Sequence, residues 1–169
     1  MRTTPTTSPA TSNGRRYAFL GAFLMLAFFA GFVGRLTQGD DVGERYLALE
    51  LPAWAPPQEA FGLVWPVLYV LIGVAAWRVW DRAGGARRAT TALNLWFAQL
   101  IVNAAWPAVF FGAEAFGPAI GVIVALIALV VSTMVAAAQH DRLAAVLLAP
   151  YLLWISYAAA LNVAIWNLN

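Results

Sequence analysis

Gly117–Ala138 reads GPAIGVIVALIALVVSTMVAAA, 22 residues with no charged side chain. A hydrocarbon core of roughly 30 Å needs about 20 apolar residues of helix. This stretch therefore reads as a membrane span. Four more apolar runs flank it, near 17–34, 59–77, 90–111 and 143–166, and their charges stand only at their ends. The whole chain of 169 residues is 62% hydrophobic and 11% charged, where a soluble domain carries about 25% charged residues. The sequence predicts an all-α integral membrane protein, a bundle of five transmembrane helices near 17–36, 58–80, 88–111, 116–138 and 142–167. These spans form a single membrane domain over 17–169 and leave no room for a separate soluble domain.

Residues 1–16 read as a disordered tail, because Met1 to Asn13 is rich in Thr, Ser and Pro and offers little apolar surface to bury. Arg15-Arg16 before an apolar run resembles a targeting signal. That run is longer than the usual 7–15 residues, and no small-x-small cleavage site follows it cleanly. The first helix is expected to be retained.

All ten basic residues are arginines. Arg2, Arg15, Arg16, Arg78, Arg82, Arg87, Arg88 and Arg142 fall on one side if five helices cross in sequence, and only Arg35 and Arg45 on the other. The positive-inside rule then puts the amino terminus in the cytoplasm and the carboxyl terminus outside. The scattered arginines form no basic stripe, so no nucleic-acid partner is expected.

Other exclusions are chemical. Cysteine is absent, which removes disulfides, thiolate metal sites and cysteine nucleophiles. With no lysine there is no Schiff base and no Walker motif. The single histidine, His140, sits in a loop beside Asp141 and Arg142 and reads as a solvated or capping residue. No metal site and no covalent cofactor are expected. The spans hold no ionisable pathway, and five helices do not divide into two inverted halves, which speaks against a secondary transporter.

Three helices carry the informative polar and aromatic residues. In the second, Phe61, Trp65 and Tyr69 recur every four residues and share a face. For any single aromatic such a face reads first as helix packing; the depth of Trp65 and Tyr69, whose N–H and O–H need partners there, favours a functional role. In the third, Gln99, Asn103, Trp106 and Phe110 share a face. Two amides there mean interhelical hydrogen bonds, a polar anchor in a ligand pocket, or both. Pro107 predicts a kink, and Ala104 with Ala108 makes a small-residue step open to close approach, between protomers among other options. In the fifth, Tyr151, Trp154, Ala158 and Leu161 share a face, aromatics above small residues. The first loop, about 37–58, is the one long connection, and long loops in compact bundles are often functional.

Taken in order, Pro52-Ala53-Trp54-Ala55-Pro56-Pro57, Phe61-Gly62-Leu63-Val64-Trp65, Leu68-Tyr69, Gln99-Leu100-Ile101-Val102-Asn103-Ala104-Ala105-Trp106, Phe110-Phe111-Gly112, Pro150-Tyr151-Leu152-Leu153-Trp154 and Leu161-Asn162 resemble the tryptophan-rich sensory protein family (TspO/MBR). Its mitochondrial members are the translocator, or peripheral benzodiazepine receptor, proteins. The resemblance runs from about Tyr17 to Asn169. It implies a homodimer of five-helix bundles in the lipid bilayer, here a bacterial cell membrane, with a ligand pocket toward the first loop. It also implies a tetrapyrrole ligand such as protoporphyrin IX. Carried over by position, the ligand-binding residues are Tyr46, Trp54, Phe61, Trp65, Tyr69, Asn103, Trp154, Ala158 and Leu161. Trp65 and Trp154 match the tryptophans tied in some bacterial members to light-dependent porphyrin breakdown, and they are the catalytic candidates if that reaction occurs.

Three departures stand out. Arg45-Tyr46 replaces the usual Trp-Tyr, altering that edge of the pocket. Gly62-Leu63-Val64-Trp65 replaces Gly-Pro-Val-Trp, with proline displaced to Pro66. Val163 follows Leu161-Asn162 with no Arg or Lys after it, so the proposed cholesterol motif is absent and sterol recognition is not expected. The leading expectation is a tetrapyrrole-binding regulatory membrane protein. The alternatives are a light-dependent porphyrin-degrading enzyme, a small-molecule transporter and an interaction subunit without a dedicated ligand.

Overall fold

The computed structural model describes residues 13–169. Five segments are long and apolar enough to cross a membrane: Asn13–Leu36, Gln58–Ala83, Thr90–Gly112, Phe116–Ala138 and Arg142–Leu168. The protein is a multi-pass integral membrane protein. Its outward faces carry large apolar side chains, among them Phe29, Phe32, Leu63 and Leu153, all exposed, as a lipid-facing surface requires.

The first helix, α1 (Asn13–Leu36), starts four residues ahead of the expected Tyr17. Tertiary contacts extend it. Arg16 donates to both carboxylate oxygens of Asp81 at 2.8 and 2.6 Å, and its carbonyl accepts from Trp77 Nε1 at 3.0 Å. Of the expected disordered tail, residues 13–16 are therefore helical, and residues 1–12 lie outside the described residues. The first loop contains a short helix, α2 (Val42–Ala48), that the sequence reading did not anticipate.

Helix α3 (Gln58–Ala83) runs three residues beyond the expected end and closes on Gly84, whose φ of 72° is a left-handed C-cap. Helix α4 (Thr90–Pro107) gives way at once to a π-helical turn over Ala108–Gly112. Proline supplies no N–H to the turn before it, and the chain responds by widening: Ala113 N–H donates to Ala108 at 2.9 Å, five residues back. Helix α5 (Phe116–Ala138) matches its expected bounds. The last span, read from sequence as one helix over 142–167, is two pieces, α6 (Arg142–Leu147) and α7 (Ala149–Leu168). The break at Leu148 accommodates Pro150, which occupies the first turn of α7, where a missing N–H costs nothing.

The helices close a ring in the order α1, α3, α6–α7, α5, α4. Small residues set the close approaches. Gly31 of α1 lies flat against the Tyr69 ring of α3, and Gly34 against Ala104 and Pro107 of α4. The small-residue step at Ala104 is thus used inside the chain, against α1. Around the ring, α3 packs firmly on α6 but only sparsely on α7. The seam between α3 and α7 faces the first loop.

Charge is divided between the two ends of the bundle. Arg15, Arg16, Arg78, Arg82, Arg87, Arg88 and Arg142 share one end with only two carboxylates, Asp81 and Asp141. The other end holds Arg35 and Arg45 with six carboxylates, in Asp40, Asp41, Glu44, Glu50, Glu59 and Glu114.

Candidate ligand site at the seam of helices α3 and α7

Eight aromatic rings gather where the first loop meets the α3–α7 seam. The loop itself is tied down from both sides. Tyr46, buried to 3% exposure, donates from its hydroxyl to the Pro56 carbonyl at 2.9 Å and sets its ring edge-on to Phe61 at 5.4 Å. Burial pushes its phenol above the ordinary value of 10.0, with Tyr157 adding to the effect. Arg45, where the family pattern has tryptophan, points to polar partners. It donates to Asp41 at 2.9 Å, to the Phe111 carbonyl at 3.1 Å and to Glu114 at 3.5 Å. The guanidinium's hydrogen bond holds the Asp41 carboxyl below its usual range. Arg45 thereby pins α2 to the loop between α4 and α5.

Below the loop the rings interlock. Phe61 meets Trp154 at 5.8 Å and 74°, and Trp154 meets Tyr157 at 5.8 Å. Trp54 lies half in solvent, edge-on to Tyr157 at 5.6 Å, and its carbonyl accepts from the Tyr157 hydroxyl at 2.8 Å. One turn deeper, Trp65 stacks on Tyr69 at 5.4 Å and 24° and touches Tyr151 edge-on at 6.3 Å. These offset and edge-on arrangements are the ones that the ring quadrupole favours.

The stack ends in a chain of polar groups across the bundle. The Tyr69 hydroxyl donates to Asn103 Oδ1 at 3.1 Å, Asn103 Nδ2 donates to the Tyr151 hydroxyl at 3.0 Å, and that hydroxyl donates to Gln99 Oε1 at 3.0 Å. Helices α3, α4 and α7 are joined by three bonds among four side chains, of which Gln99, Asn103 and Tyr151 are buried. Both polar atoms of Asn103 are engaged in this tie. A second amide, Asn162, accepts from Trp106 Nε1 at 3.3 Å and donates to the Phe116 carbonyl at 2.8 Å.

Of the nine residues expected to bind ligand, seven fall into this assembly. Tyr46, Phe61 and Trp154 touch in series, Trp54 joins through Tyr157, and Trp65, Tyr69 and Asn103 form the deeper group. Leu161 is buried with Phe110, Ala119 and Ile165, in a cluster against which Phe61 also packs. Ala158 is half-buried on α7 between Trp154 and Leu161. Tyr157 stands in the same ring assembly and was not singled out from the sequence; its place one turn after Trp154 was the available signal. Tyr151 and Gln99 were read as face residues, not as the far end of a hydrogen-bonded chain.

Three buried donors have no hydrogen-bond partner among the described residues: Trp154 Nε1, at the seam, Gln99 Nε2, at the end of the chain, and Arg78 Nε, at the arginine-rich end. A buried donor left unpaired costs about 1–3 kcal/mol. At the seam, the indole that carries that donor lies against the rings of Phe61 and Tyr157. The rings of the seam touch one another, Phe61 against Trp154 and Trp154 against Tyr157. Each such aromatic pair is worth about 0.5–1.5 kcal/mol. Among the described residues, no three of His, Cys, Asp and Glu stand close enough to hold a metal ion.

A family model described as the TspO/MBR family matches residues 22–167. The translocator protein of Homo sapiens is 38% identical over 140 residues, 82% of each chain. The tryptophan-rich protein TspO of Archaeoglobus fulgidus is 36% identical over 152 residues, 89% of this chain and 96% of its own. The tryptophan-rich sensory protein of Cereibacter sphaeroides is 36% identical over 153 residues, 90% of this chain and 92% of its own.

Proposed function

This chain belongs to the TspO/MBR family, and on that premise we propose that it binds a tetrapyrrole of the protoporphyrin IX type at the α3–α7 seam and acts as a membrane-embedded binding and regulatory protein. The observation that carries this reading is the Phe61–Trp154 pair, whose buried indole N–H has no partner, one turn above the Trp65–Tyr69 stack. Flat aromatic faces from two helices suit a macrocycle, and a lone N–H suits an acceptor on its rim. A metal-free porphyrin asks for no axial ligand. The first loop closes over the ligand through Tyr46 and Trp54, and Asn103 supports the site by holding Tyr69 against Trp65.

Quenching of tryptophan fluorescence by protoporphyrin IX in detergent tests the site. Trp65→Ala removes one stacking face, worth about 0.5–1.5 kcal/mol, and should weaken binding by about two- to tenfold. Affinity unchanged in this variant would remove Trp65 from the site.

A second reading, light-dependent porphyrin breakdown, draws on the Trp65–Tyr69 stack at 5.4 Å. Here the bound porphyrin absorbs the light, dioxygen is the oxidant, and Trp65 and Trp154 are the oxidisable partners. Illuminating the bound porphyrin separates this reading from plain binding. Bleaching as fast in Trp65→Phe/Trp154→Phe as in wild type removes it. The amino terminus is assigned to the cytoplasm from the arginine-rich end, and a homodimer completes the reading, to be read by cross-linking in membranes.

A further inference from the structure

The arginine-rich end of the bundle carries a cleft of about 260 Å³ between the α3–α4 turn and the C-terminal end of α5, lined by Arg87, Arg88, Thr91, Gln139 and His140 among others. Gly84 and Gly85, at φ of 72° and 129°, reverse the chain tightly and deliver both arginines just before the first turn of α4. The carboxylates of this end are already used. Arg16 forks onto Asp81, while Arg78 reaches Asp141 at 2.7 Å with Arg82 at 3.7 Å. Among the described residues, Arg87 and Arg88 therefore make no ion pair.

The start of α4 adds to the positive field. Its N-cap, Ala89, offers no side-chain oxygen. The Thr90 hydroxyl turns back to the carbonyls of Ala86 at 3.2 Å and Arg87 at 3.0 Å instead of capping forward. The positive pole of an 18-residue helix thus opens beside two unpaired guanidiniums. Every charged group at the cleft is positive, and the missing counterpart is an anion with several acceptor oxygens.

We propose that this cleft binds the phosphate of an anionic phospholipid headgroup. Position selects a lipid over a free ion. The cleft lies where spanning helices α4 and α5 leave the membrane. At the same end Trp80 stacks on Phe19 at 4.1 Å and Trp77 donates to the Arg16 carbonyl, in the manner of indoles anchored at the headgroup level. Size agrees: at about 30 Å³ per water, the cleft has room for a phosphate with part of its glycerol. A guanidinium offers such a phosphate a two-pronged contact.

Native mass spectrometry of the full chain tests this, with phosphatidylglycerol and phosphatidylcholine offered at equal concentration. The chain should retain phosphatidylglycerol preferentially. Arg87→Gln/Arg88→Gln should lower that retention about thirtyfold or more, because two charge-assisted contacts to the phosphate are lost. Arg15→Gln/Arg142→Gln removes the same charge from the same end outside the cleft; only the screened long-range field is then lost, so the preference should stay within about threefold of wild type. All four positions are exposed or half-exposed, and matched tryptophan emission spectra confirm folding. Undiminished preference in the cleft variant, or equal loss in the control pair, overturns the site. Displacement of the lipid by inorganic phosphate at matched concentration makes it a free-anion site and overturns the lipid assignment.

Discussion

Removing the Tyr151 hydroxyl should cost more than removing that of Tyr69, although both sit in one chain of bonds. Tyr151 is fully buried and its hydroxyl works twice, accepting from Asn103 at 3.0 Å and donating to Gln99 at 3.0 Å. Tyr151→Phe leaves Asn103 Nδ2 unpaired and strips Gln99 of the one partner its amide has, since Gln99 Nε2 already has none. Tyr69 makes a single bond, to Asn103 Oδ1 at 3.1 Å. Interhelical hydrogen bonds in membranes average about 0.6 kcal/mol and reach about 1.7. Two such bonds give about 1–3 kcal/mol for Tyr151→Phe, against about 0.6 kcal/mol for Tyr69→Phe. Reversible unfolding in mixed dodecylmaltoside–SDS micelles, followed by tryptophan fluorescence, measures both. The Tyr69→Phe/Tyr151→Phe cycle should also show coupling through Asn103, because the two hydroxyls share its amide. Equal costs for the two single variants, or additive costs in the double, would refute the chain as a cooperative tie.

Gly31→Ala places a methyl group into the Tyr69 ring; overpacking of this kind costs about 1–3 kcal/mol, and loss of the Tyr69–Trp65 stack should appear as a shifted tryptophan emission. Arg45→Met should release α2, seen as faster amide exchange over residues 42–56, because two of the contacts made by Arg45, to the Phe111 carbonyl and to Glu114, link that helix to the chain between α4 and α5. The first loop should also loosen at alkaline pH. Burial raises the Tyr46 phenol in the closed loop, so its stabilising effect is complete below the ordinary value of 10.0 and fades as pH rises through the higher closed-state value, with loss of the bond to Pro56. Tyr46→Phe should abolish this pH dependence of loop exchange; an unchanged profile would assign it to another group.

The spans were legible because hydrophobic length alone decides them, and Phe116–Ala138 matched to the residue. Helix ends were less so: residues 13–16 belong to α1, where Arg16 finds Asp81, 65 positions away. Helix α2 was hidden because seven residues bounded by loop carry too little periodicity to announce themselves. Pro107 was legible as a disturbance, but its form, a π turn with bonds five residues apart, depends on the backbone beyond it. At the site, the four-residue spacing of Gln99 and Asn103 marked both amides as needing partners. The partners themselves, Tyr69 and Tyr151, stand 34 to 52 positions away and had no local signal. Arg45 was read as a gap in an aromatic edge. In the fold it is a staple, because a guanidinium seeks the carbonyl and carboxylates available beside α2. That the rings would fill the seam themselves, leaving Trp154 Nε1 without a partner, follows only from three-dimensional packing.

The indole N–H resonances of the ¹⁵N-tryptophan-labelled protein test the seam most directly. Trp154 Nε1–H is buried without a partner, whereas Trp96 Nε1–H is held by the Ile72 carbonyl at 3.0 Å. Titration with protoporphyrin IX should move the Trp154 and Trp65 signals, each assigned by its Trp→Phe variant, and leave that of Trp96 in place. A saturating porphyrin that leaves Trp65 and Trp154 unmoved would contradict a ligand site between α3 and α7.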